Sequence, residues 1–139
     1  MRPDAEQIAV EWAKAQPELV AILETRIATS LPADNRFEKT FLRVIEIDGR
    51  DIVEESSDPG LALLQWDAYA YDGFQPAPDW AKASLIARTL VERISAERGR
   101  VLEGGVVLDF AHPRGPRRHT EQTGRARYSV DVFVAVRPA

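Results

Sequence analysis

Cysteine is absent from this 139-residue sequence, and histidine occurs only twice. The absence of cysteine excludes disulfide bonds, thiolate metal sites and cysteine nucleophiles. No apolar run approaches the roughly 20 residues that a membrane-spanning helix needs, so we expect no membrane partner. The opening residues, MRPDAEQIAVEW, are acidic and amphipathic. We therefore expect no signal peptide, and synthesis in the cytoplasm.

Patterns that carry catalysis or cofactor binding are also missing. The sequence has no G-x-S-x-G elbow, and two histidines leave little material for a catalytic triad. The pair Gly104-Gly105 lies inside a strand pattern with no helix after it, unlike a phosphate-binding turn. We predict that the protein is not an enzyme and uses no cofactor.

A metal site is a further possibility to weigh. Four side chains of metal-binding type fall in one segment: Asp109, His112, His119 and Glu121. Their spacing is not that of a compact ligand set, and the arginines between them repel a cation. The sequence therefore predicts no metal site.

The length suits a single domain over residues 1–139. Helix and strand patterns follow one another in this order: an N-terminal helix from Asp4, strands over 25–31, 40–47 and 61–71, a helix capped by Asp79, and strands over 101–110 and 126–136. This order predicts an α+β fold. We expect a mixed, largely antiparallel sheet of about five strands, with the N-terminal helix and one long amphipathic helix packed on it.

Two of the strands alternate clearly between their faces. In the strand 61–71 the more apolar set should face the core: Ala62, Leu64, Trp66, Ala68 and Ala70. The final strand alternates valine with other residues. We expect the stretch from Tyr128 to Val136 to be an open sheet edge that a neighbouring copy covers.

The charge is distributed unevenly along the chain. Residues 1–111 contain 12 Lys/Arg against 20 Asp/Glu, whereas residues 112–139 contain 6 against 2. The excess lies in HPRGPRRHTEQTGRAR, which we read as part of a hairpin loop from Ala111 to Arg125. The candidate partner-contact residues are Arg114, Arg117, Arg118, His119, Arg125 and Arg127. Arginine forks bind carboxylates and phosphates, although such clusters are often only solvated surface.

The partner of this segment is open to two interpretations. Carboxylates of a neighbouring copy or another protein fit the acidic body of the chain. A nucleic-acid-binding accessory module using residues 112–127 is the alternative, although the segment has no interleaved aromatic residue. The loop LPADNRFEKT is a possible second contact region, with Asp34, Arg36 and Phe37 as its candidate residues.

The layout resembles the tail terminator, or tail-completion, proteins of long-tailed bacteriophages. The resemblance lies in RPDAEQIAVEWAKAQPEL, RIATSLPAD, FLRVIEIDG, LLQWDAYA, AKASLIARTLVERI and GPRRHTEQTGRARYSVDVFVAVRP, which together span nearly the whole chain in the same order. These motifs are spacing patterns and include no catalytic signature.

The resemblance implies a structural protein of the virion that forms a ring, usually of six subunits. Such a ring caps the finished tail tube, ends its polymerisation and presents a surface to the head-tail connector, while DNA passes through the lumen. Its expected partners are therefore itself, the tail tube protein and the connector. We hypothesise that Arg114, Arg117 and Arg118 dock on carboxylates of a neighbour or of a tube subunit.

Overall fold

The computed structural model describes residues 5–29, 40–47, 61–71, 77–97, 100–102, 106–120 and 126–138. The helices are α1 (Ala5–Lys14), α2 (Pro17–Leu23) and α3 (Trp80–Ala96). The strands are β1 (Ile27–Ala28), β2 (Phe41–Ile47), β3 (Leu61–Ala70), β4 (Arg100–Leu102), β5 (Val106–His119) and β6 (Ala126–Pro138). The predicted α+β class is confirmed.

All described strands belong to one sheet in the order β1-β2-β3-β6-β5-β4. The pair β1–β2 is parallel and every other pair is antiparallel, so the mixed, largely antiparallel sheet is confirmed. Strand β6 lies between β3 and β5 and pairs with both. The expectation that Tyr128 to Val136 forms an open edge is therefore wrong, because this strand has a neighbouring strand on each side.

One face of the sheet carries the core and the helices. The set predicted for the core face of β3 is fully buried, and Val130, Val132 and Val134 of β6 lie beside it. Helix α1 contributes Trp12, whose ring lies edge-on to Trp66 at 6.1 Å and to Phe110 at 4.7 Å between ring centres. Such edge-to-face contacts are favoured by the aromatic quadrupole, and they join α1 to the middle of the sheet.

Helix α3 begins and packs as its sequence predicts. The Asp79 carboxylate accepts a hydrogen bond from the Lys82 backbone N–H at 2.9 Å, which satisfies one of the unpaired groups of the first turn. The apolar stripe of α3 is buried against β3, β5 and β6. The predicted long amphipathic helix and its N-cap are therefore confirmed.

The predicted single strand over 101–110 is wrong, because the structure has two strands there. Strand β4 ends at Leu102, which pairs with Val106 at the start of β5 in an antiparallel hairpin. Gly104 and Gly105 lie between these two strands in the sequence, outside the described residues. This extra strand brings the sheet to six strands rather than about five.

Candidate functional site

The basic segment is an edge of the sheet rather than a loop. Strand β5 continues to His119 and pairs with β6 along most of its length. Strand β4 covers only Val106 to Leu108 on the outer side, so within the described residues β5 has no outer strand partner after Leu108. The predicted loop from Ala111 to Arg125 is therefore wrong as far as His119, because this part of the chain is a strand. Three arginines of the basic segment lie on that strand. We call Arg114, Arg117 and Arg118 the basic edge.

Two irregularities in the register explain how proline and glycine fit into this strand. Ala111 pairs with Phe133, Arg114 with Asp131 and Arg117 with Ser129, so β5 has an extra residue at each of two steps. These are β-bulges, which accept residues that cannot join a regular ladder. Pro113 lies in the first bulge and Pro116 in the second, where it follows a cis peptide bond.

The three arginines of the basic edge differ in how they are held. Arg114 has an exposed side chain. Arg117 forms an ion pair with Asp131 of β6 at 2.6 Å, and its side chain is still 53% exposed. The Arg118 guanidinium lies 3.9 Å from the centre of the Trp80 ring, a cation–π contact that ties the strand to the start of α3. All three therefore present positive charge at the surface from defined positions.

Arg127 has a different role, inside a buried ion-pair network. It donates from Nε and Nη2 to Oδ1 of Asp67 at 3.0 and 2.9 Å, while Arg43 donates to Oδ2 at 2.7 Å. Asp67 is fully buried. Its charge is compensated by the two guanidiniums and by a hydrogen bond from the Gln65 amide. Because a buried carboxylate without partners would be costly, this network serves the fold.

Sequence reasoning did not find this network. Asp67 lies 24 positions after Arg43 and 60 positions before Arg127 in the sequence. The three side chains meet because the β2–β3 and β3–β6 registers place them on one face of the sheet. The available signal was that all three are charged residues within predicted strands. The pairing that joins them cannot be read from one sequence.

The remaining predicted contact residues are placed only in part. His119 shares a hydrogen bond with the Ser129 hydroxyl across the β5–β6 pair. Arg125 and the candidates Asp34, Arg36 and Phe37 lie outside the described residues, so their contact roles stay predictions. For Asp109 and His112 the structure describes the backbone but not the side chains, and Glu121 is also outside the described part.

The part of the chain that the structure describes also bears on two other kinds of site, a metal centre and a membrane-spanning helix. Within those residues, no group of three or more metal-binding side chains lies close enough together to hold an ion. None of the helices that the structure describes has both the length and the apolar character needed to cross a membrane.

Comparison with known proteins gives one informative similarity. The sequence matches no protein-family model, and it matches no curated protein sequence. Among solved structures, it is similar to a chain of the "virion of native gene transfer agent (GTA) particle", with a TM-score of 0.56 and 18% sequence identity. The similarity covers 94% of this chain and 92% of that one. The two chains therefore share a fold over nearly their whole lengths.

Proposed function

We propose that this chain is a structural protein of a virion. The observation that carries the proposal is the fold that it shares, from end to end, with a chain of a gene transfer agent virion. A non-enzymatic assembly role also agrees with the lack of any catalytic pattern in the sequence.

Within that class, we propose a tail terminator. The chain would form a ring, of six copies by the sequence resemblance, on the end of a tail tube. The ring would stop addition of further tube subunits and offer its other face to the head-tail connector, with DNA passing through the lumen. The basic edge on β5 belongs to a chain that is otherwise mostly acidic, which supports contacts between unlike surfaces of neighbouring copies, of the kind that close a ring.

The test is a tube-capping experiment with the tube subunit of the same particle. Tube growth would be followed by negative-stain electron microscopy, with this protein added at increasing ratios, and native mass spectrometry would give its oligomeric state. We expect shorter tubes of narrower length distribution, each with density at one end, and a closed oligomer. Tubes of unchanged length with no bound protein at either end would contradict the terminator proposal.

The nucleic-acid-binding alternative has less support in the geometry. A nucleic-acid-binding surface needs guanidiniums that are available to phosphates. Here Arg127 is bound to the buried Asp67 and is therefore not part of the exposed basic surface. The alternative stays a prediction, and its salt dependence distinguishes it from a protein contact.

A further inference from the structure

Arg118 differs from most arginines that the structure describes in what holds its side chain. The others in ion pairs with carboxylates of the same chain are Arg26, Arg43, Arg93, Arg117 and Arg127. Arg88 donates a hydrogen bond to the Ser84 carbonyl oxygen. Among the residues that the structure describes, Arg118 has no hydrogen-bond or ion-pair partner, and it is held instead by a contact with an aromatic ring.

Two aromatic residues hold Arg118 in place. Its guanidinium carbon lies 3.9 Å from the centre of the Trp80 ring, and Trp80 lies edge-on to Tyr128 at 6.1 Å between ring centres. Tyr128 is also the residue opposite Arg118 in the β5–β6 register. Strands β5 and β6 and the first residue of α3 therefore contribute one side chain each to a single cluster. We call Arg118, Trp80 and Tyr128 the arginine stack.

The arginine stack leaves the N–H groups of Arg118 available to another molecule. A guanidinium that lies over an aromatic ring keeps its donors at the rim of its own plane. The Arg118 side chain is exposed, whereas Trp80 and Tyr128 are half-buried. A carboxylate can therefore reach the guanidinium and accept two parallel hydrogen bonds. Because the ring contact already restricts the side chain, little rotamer entropy is lost on binding.

The charge of the chain favours a protein partner over a nucleic acid. The whole chain has a net charge of −4, and residues 1–111 contain 20 Asp/Glu against 12 Lys/Arg. A DNA duplex carries phosphates along its entire length, so many of them would face this acidic body. A carboxylate on a protein surface can instead be confined to the stack. Arg118 also covers one face of the Trp80 ring, so no base can stack on that face.

We propose that the arginine stack binds an Asp or Glu side chain of an adjoining protein subunit, with Arg118 as the residue that contacts the carboxylate. Trp80 and Tyr128 are positioning residues, which sequence reasoning did not single out. The proposal rests on the virion role proposed above and names the residues and the chemistry of one contact in it. Tryptophan, tyrosine and arginine are also the residue types that most often dominate the binding energy of protein interfaces.

Chemical modification of arginine tests the contact directly. The wild-type protein would be treated with phenylglyoxal, alone and after assembly on tubes without DNA, and the modified positions would be mapped by mass spectrometry. We expect Arg118 to react in the free protein and to lose most of its reactivity in the assembly. The exposed Arg88 on α3 is the internal reference for overall reactivity. Equal reactivity of Arg118 before and after assembly would overturn the proposal.

Substitutions at Arg118 separate the planar fork from its charge. Arg118→Lys keeps the charge but cannot form two parallel hydrogen bonds, and Arg118→Ala removes both. We expect each variant to bind tubes about tenfold more weakly or worse, because a bidentate pair is lost. Co-sedimentation with tubes would measure binding, and circular dichroism would verify the fold. Arg88→Ala is the matched control. Binding of both Arg118 variants at the wild-type level would overturn the proposal.

The positioning role of Trp80 has its own test. Trp80→Phe keeps a ring under the guanidinium, so we expect it to bind tubes nearly as the wild type does. Trp80→Leu removes the ring, and we expect it to bind as weakly as Arg118→Ala while the fold is retained. If the leucine and phenylalanine variants bound tubes equally well, Trp80 would not position Arg118.

A peptide probe makes the test independent of the tube. Trp12 and Trp66 are fully buried, so Trp80 is the tryptophan whose fluorescence should respond to binding at the stack. We expect a short oligoglutamate peptide to change the emission of the wild type but not of Trp80→Phe. An oligoglutamine peptide of the same length should have no effect.

The two arms separate failure of the stack from failure of the virion role. If the wild-type protein neither binds tubes nor associates with itself, the terminator proposal fails, and the peptide arm still decides on the stack. No change of emission with oligoglutamate would overturn the stack proposal. A change with a short DNA duplex but not with oligoglutamate would also overturn it, because the partner would then be a phosphate rather than a carboxylate.

Discussion

At residue 115 the backbone of β5 has a conformation that only glycine adopts without strain. Gly115 has φ of 117°, a region that side chains rarely adopt, and a Cβ added there would lie 2.8 Å from the Ser129 carbonyl oxygen. We predict that Gly115→Ala lowers the free energy of unfolding by about 1–3 kcal/mol. Urea denaturation would measure this loss of stability. Arg114→Ala is the matched control, because it changes the exposed neighbour without touching this conformation, and an equal loss in both variants would contradict the explanation.

Asp67 provides a second test at the scale of single residues. Its carboxylate is fully buried between Arg43 and Arg127. Removing it leaves two guanidiniums close together without a counter-charge, so we predict that Asp67→Ala costs about 3–5 kcal/mol of folding stability. Asp131→Ala is the comparison, because its partner Arg117 is half exposed, and its loss should be about 1 kcal/mol or less. Denaturant midpoints in the reverse order would show that the buried network is not what stabilises this face.

The start of α3 gives a prediction for a whole element. The Asp79 side chain is the group that pairs with the Lys82 N–H, and α3 is the helix that covers β3, β5 and β6. We predict that Asp79→Ala lowers the free energy of unfolding by about 1 kcal/mol, while Asp79→Ser retains most of it because a hydroxyl also caps. Thermal unfolding of the two variants measures the difference. Equal stabilities would mean that the cap contributes nothing.

Helix α3 and strand β5 show where sequence reasoning succeeds and where it fails. Helix α3 was predictable because its cap and its apolar spacing are local and agree with each other. Strand β5 was not, because Pro113, Gly115 and Pro116 are local signals for a loop. The ladder with β6 maintains the strand despite them, by placing these residues in bulges. The position of β6 inside the sheet was missed for a related reason, since strand order depends on pairing between distant segments.

The candidate site was predictable to a similar extent. The positive charge of residues 112–127 was evident from composition, and Arg114, Arg117 and Arg118 do lie together on one edge. What the sequence could not provide was the partner of each arginine. The partners lie on other elements: Asp131 pairs with Arg117, and Trp80 lies under Arg118, both at the exposed edge. Arg127 instead pairs with Asp67 in the buried network. A cluster in sequence therefore became two groups with different roles.

At the scale of the whole molecule, salt dependence separates a protein contact from nucleic-acid binding. Three exposed ion pairs, each worth about 0.5 kcal/mol, would together change an association constant about tenfold when salt screens them. Three phosphate contacts would instead release counterions, and raising the salt concentration tenfold would weaken binding about 500-fold. The same three arginines thus predict a shallow salt dependence for one partner and a steep one for the other.

We predict that self-association weakens by about tenfold between about 0.1 and 1 M NaCl, where the Debye length falls from about 10 to 3 Å. Sedimentation velocity would follow assembly, and fluorescence anisotropy with a short duplex would follow DNA binding over the same range. The Arg114→Glu variant is the control, because replacing one of the three arginines by a carboxylate should make this dependence shallower. Salt-insensitive assembly would indicate an apolar contact elsewhere on the molecule. Tight, steeply salt-dependent DNA binding that Arg114→Glu weakens would favour the nucleic-acid alternative, since the contact would then be with phosphates rather than with carboxylates of a protein.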